Sequence, residues 1–77
     1  MLSVKKMIDL YVSYELSEDT WDMLRNMSLH GLISSDNWRK FFDKCKDWSM
    51  DDDWQRIIDA DGNTIYKRDK DGFLVKA

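Results

Sequence analysis

The chain has 77 residues, a net charge of −3, four tryptophans, one cysteine, one histidine and no proline. One cysteine excludes an internal disulfide, a lone His and a lone Cys cannot supply the four ligands of a structural zinc site, and no apolar run approaches the ~20 residues of a membrane span. A chain this short buries only ~60% of the surface its unfolded form exposes, so the expectation is one small domain over residues 1–77, held by packing or by a partner.

The acidic balance disfavours non-specific attraction to nucleic acid or anionic membrane. Met1-Leu2-Ser3-Val4-Lys5-Lys6 is not followed by an uninterrupted apolar stretch, so no signal peptide is read. With the free thiol, that points to the cytoplasm.

Residues 4–15 carry two periodicities at once. Val4, Met7, Ile8, Tyr11 and Val12 fit one helical face, whereas Ile8, Leu10, Val12, Tyr14 and Leu16 alternate as a strand would. An internal echo favours the helix. Tyr14 to Trp21, then Leu24, aligns with Gly31 to Trp38, then Phe41, at an offset of seventeen residues. Met7 and Leu10 then map onto Leu24 and Met27. The alternative is that this first segment is a β-strand joining the sheet.

The echo has a physical meaning. Ser17 and Ser34 each stand where a helix N-cap would, with a hydroxyl for the orphan backbone N–H groups. Leu16 and Ile33 precede them, and Trp21 and Trp38 follow at the spacing of a hydrophobic staple. Glu18, Asp19 and Asp36 lie in first turns, where the helix dipole favours acids. Helices are predicted over about 19–30, ended by Gly31, and over about 35–48, with Trp38, Phe41, Phe42, Cys45 and Trp48 as the apolar stripe.

Ser49 to Asp53 reads as a turn or linker. Beyond it, Gln55–Asp59 and Thr64–Arg68 flank Asp61-Gly62-Asn63, and Asp71-Gly72 precedes Phe73-Leu74-Val75. Asp-Gly between β-rich runs is a strong hairpin signal. A two-residue turn at Asp61-Gly62 would place Ile57 and Tyr66 on one face. The predicted class is α+β: a three-helix unit followed by a C-terminal antiparallel hairpin or three-stranded meander over about 54–76. An isolated hairpin is marginal in water, so the sheet is expected to pack one face on the helices.

No constellation points to catalysis, and no metal or cofactor is expected. Neither Asp-Gly turn fits a calcium loop, which would put Ile57 and Arg68, or Lys67, at ligand positions. The segment Asp59-Ala60-Asp61-Gly62-Asn63, followed by Tyr66, looks like one YD-type β-repeat, a unit that works only in long arrays. Cys45 lies on an apolar stripe and reads as a buried structural thiol, and His30 reads as a helix end. Phosphate-binding glycine loops are absent.

Two surfaces remain. Asp51, Asp52 and Asp53, between Trp48 and Trp54, form the one charge run and suit contact with a basic partner surface. Arg39, Lys40 and Lys44 on the third helix, with Lys67 and Arg68 in the hairpin, suit the outline of a winged helix entering a DNA groove. Against that, residues 36–47 interleave four positive with three negative charges, not the basic stripe of a DNA reader. Gly31 to Trp38 also resembles the Gly-x-Ile-Thr/Ser-x-x-acid-aromatic turn of short bacterial oligomerisation modules of the SHOCT type. That likeness implies self-association, covers under a fifth of the chain, and has Asn37 where the family prefers an acid.

The leading expectation is a non-enzymatic, acidic protein-interaction module. It would act as an inhibitor or regulator through Trp48, Asp51, Asp52, Asp53 and Trp54, with the size and composition common among phage and mobile-element proteins. The alternatives are a winged-helix-like DNA-binding regulator and a homo-oligomer.

Overall fold

The structure, a computed structural model, describes residues 2–77. It is an α+β chain of three helices followed by a four-stranded antiparallel sheet. It divides into two compact units, Met1–Lys46 and Asp47–Ala77.

The first unit holds α1 (Val4–Ser13), α2 (Glu18–Leu29) and α3 (Ser35–Cys45). The first segment is a helix, so its helical periodicity prevails and the strand alternative is overturned. Its start is fixed by Ser3, whose Oγ accepts from the Lys6 N–H at 3.2 Å. Met7, Tyr11 and Val12 are its buried residues, spaced as one helical face requires. Leu24 of α2, Phe41 and Cys45 of α3, and Ile33 before α3 complete the unit's buried apolar set, and Thr20 of α2 is buried beside them. Around them Tyr11, Trp21, Trp38, Phe41 and Phe42 form a continuous aromatic cluster. Trp21 lies 5.4 Å from both Tyr11 and Trp38, and 5.2 Å from Phe41, centroid to centroid. These tilted and edge-on arrangements suit the ring quadrupoles.

The echoed helix starts are both real, but their caps differ. Ser34 Oγ accepts from the Asn37 N–H at 3.1 Å, as an N-cap should. Ser17 occupies the N-cap position of α2 without a side-chain capping bond. α2 ends as Gly31 predicts: Gly31, at φ +78°, donates to the Ser28 carbonyl and Leu32 to that of Met27, the paired bonds of a Schellman motif. α1 ends the same way, with Glu15 and Leu16 donating to Val12 and Tyr11, although Glu15 takes the left-handed conformation at φ 55°.

α3 stops at Cys45 and does not reach residue 48. The segment beyond it is captured by strand pairing. Ser49–Met50, read in sequence as a turn or linker, is β1, and its residues pair with Ile58 and Ile57. Trp48 therefore does not continue the apolar stripe of α3.

The second unit is a meander in the order β1, β2 (Arg56–Ile58), β3 (Thr64–Arg68), β4 (Leu74–Lys76). Met50, Ile57, Tyr66 and Lys76 stand in one row across it. Ile57 is fully buried, and Trp48 meets Tyr66 ring-to-edge at 5.8 Å. Ile57 and Tyr66 do share a face, though not through a two-residue turn. Asp59 donates to the Asn63 carbonyl and Gly62 to that of Asp59, which closes a three-residue loop with Gly62 at φ +83°. That register pairs Ile58 with Thr64, and one extra residue, Ile65, then restores the Ile57–Tyr66 pairing.

Candidate partner-binding site

Each hairpin loop of the sheet begins with an aspartate whose carboxylate is used by its own loop. Asp59 Oδ1 accepts from the N–H groups of Asp61 and Asn63 at 3.0 and 2.9 Å. Asp69 Oδ1 does the same for Asp71 and Phe73, at 2.9 Å each. The β1–β2 loop is a longer version. Asp51 Oδ1 accepts from the Gln55 and Arg56 N–H groups at 2.8 and 3.1 Å, and its Oδ2 from Arg56 Nε at 3.0 Å. Desolvation alone would push the Asp51 carboxyl up. The hydrogen bonds from the Arg56 side chain and from the Gln55 and Arg56 backbones outweigh it and hold the group below its ordinary value.

The residues expected to meet a partner thus separate by role. Asp51 is an internal brace of its loop, and Trp48 is half-buried on the apolar face of the sheet. Asp52, Asp53 and Trp54 remain exposed together at the loop tip. Trp54 is 58% exposed and adopts φ 59°, a left-handed conformation that a bulky side chain rarely takes. Two bonds hold it there, its own N–H to the Asp51 carbonyl at 3.0 Å and Arg68 Nε to its carbonyl at 2.7 Å, and Arg68 is itself anchored by Nη1 donating to the Gly72 carbonyl at 2.9 Å. Arg68 thereby ties the β1–β2 loop to the β3–β4 loop. In sequence Arg68 carries only a role at a nucleic-acid surface, and the turns are signalled by Asp61-Gly62 and Asp71-Gly72, not by the aspartates that head the loops.

The residues of the DNA-binding alternative are placed as follows. Lys40 pairs with Asp36 one turn back at 3.2 Å. Arg39, Lys44 and Lys67 are exposed, and Arg68 is engaged as described. Arg39 also lines a shallow groove of about 350 Å³ on α3 together with Trp38, Phe42 and Asp43.

Cys45 is fully buried, and desolvation pushes its thiol up to about 12, far from a nucleophile's range. His30 is the exposed C-cap of α2. Among the described residues no three His, Cys, Asp or Glu side chains gather as a metal ion requires, and no helix is long and apolar enough to cross a membrane. Compared with protein families, with curated proteins and with solved structures, the chain matches none.

Proposed function

We propose that the chain is a non-enzymatic protein-interaction module, acting as an inhibitor or regulator by binding another protein through the β1–β2 loop tip. The observation that carries this reading is Trp54. A large aromatic side chain stands in solvent on a backbone conformation that glycine would hold at lower cost. Strain of this kind persists where the surroundings over-determine it, and it clusters at functional sites. Exposed tryptophan is a characteristic anchor of protein interfaces. Asp52 and Asp53 beside it favour a partner with a basic rim around an apolar pocket, since complementary charge speeds encounter and fixes orientation.

The test is capture of partners by the tagged chain from lysate of its source cells, with and without nuclease. A stoichiometric protein retained after nuclease, and recovered at least severalfold less by Asp52→Ser/Asp53→Ser, is the expected result. Asp51 is left intact in that variant because its carboxylate braces the loop. Recovery that collapses with nuclease would replace this reading with the DNA-binding one through Arg39, Lys40, Lys44 and Lys67. Such binding would also weaken steeply with salt as counterions are released.

A further inference from the structure

The groove on α3 presents an arrangement that the loop-tip reading does not use. Its walls are Trp38 and Phe42, with Phe42 still 39% exposed. Its rims are Arg39 and Asp43, opposite charges one helical turn apart. Among the described residues neither side chain makes an ion pair or a hydrogen bond, whereas the neighbouring Asp36 and Lys40 are paired. Two unpaired, opposite charges beside a half-buried Trp38 and an exposed Phe42 on one helix face make a self-complementary surface.

We propose that this face of α3 is where two copies of the chain meet, antiparallel about a two-fold axis. Turning the helix end for end about position 41 brings Arg39 of one copy to Asp43 of the second, and Asp43 to Arg39. A closed isologous contact requires this reciprocity. The same operation lays the Trp38 and Phe42 rings of one copy along those of the second, since both rings lie on the same flank of the groove, and it covers the exposed part of Phe42. A basic partner would suit Asp43 and meet repulsion at Arg39, and an acidic partner the reverse. A second copy satisfies both. A face of four residues lies below the ~1,200 Å² of stable interfaces, so the association is weak and populated only at high concentration. This proposal is independent of the loop-tip reading, which concerns residues 52–54.

Sedimentation velocity of the full chain at low salt, from about 10 μM to 1 mM, tests it. The expected result is a sedimentation coefficient rising with concentration toward that of a dimer. Arg39→Asp, which sets like charges against each other at both contacts, weakens the association by about tenfold or more. The swap Arg39→Asp/Asp43→Arg restores it. Both positions tested are on the exposed helix surface, and far-UV circular dichroism checks that the variants stay folded. A wild-type chain that remains monomeric at 1 mM overturns the proposal without reference to any variant. Association unaffected by Arg39→Asp, or not restored by the swap, overturns it equally.

Discussion

The Asp51 carboxylate accepts three hydrogen bonds inside its own loop, and this sets how the hairpin responds to acid. Its folded pKa lies below the ordinary aspartate value of about 4. The stability it contributes is therefore present above that value and is lost as pH falls through the lower, folded one. Thermal melts across that acidic range are expected to show a decline in wild type that is smaller in Asp51→Asn. An unchanged decline would remove Asp51 from the account. Cys45 works in the opposite direction. Its thiol is raised from about 9 to about 12, so the folded chain keeps a proton that the unfolded chain releases. Stability is then full below pH 9 and falls progressively toward pH 12, with the buried Tyr11 hydroxyl, also raised, acting in the same sense. Cys45→Ala should shrink that alkaline decline, and a thiol reagent should label Cys45 only at the rate of unfolding.

At the scale of elements, much was legible in the sequence because it is written in local chemistry. The three helices, Ser34 as a cap, Gly31 as a terminator and the two Asp-Gly loops all rest on contacts within a few residues. What could not be read depends on pairing between segments. β1 forms only because Met50 finds Ile57 across a loop, and the end of α3 moves back for the same reason. The bulge at Ile65 and the Arg68 clamp are likewise non-local. The candidate site was half legible: the Asp51–Trp54 segment stands out as charge beside tryptophan, but only hydrogen-bond geometry separates the bracing Asp51 from the exposed tip. The two echoed caps give a direct comparison. Ser34→Ala is expected to cost about 1 kcal/mol through loss of its bond to Asn37, and Ser17→Ala much less, since its hydroxyl caps nothing. Equal losses in chemical denaturation would contradict this assignment.

For the whole molecule, the charge of −3 and the exposed tryptophan argue together. Asp51, Asp52 and Asp53 read, in sequence, as one acidic run facing a basic partner surface. In the structure Asp51, Asp59 and Asp69 are committed to their own loops. The acidic contribution available to a partner at the β1–β2 loop is accordingly Asp52 and Asp53, and recognition rests on the tryptophan they flank. The Trp54→Gly variant addresses this central claim most directly, because folding and binding should move in opposite directions. Glycine relieves the left-handed strain, and the backbone bonds from Trp54 N–H to Asp51 and from Arg68 to the Trp54 carbonyl survive the change. Its unfolding free energy is predicted to rise by about 1 kcal/mol, while nuclease-resistant capture of the protein partner falls to background. Undiminished capture by a folded Trp54→Gly chain would contradict the account.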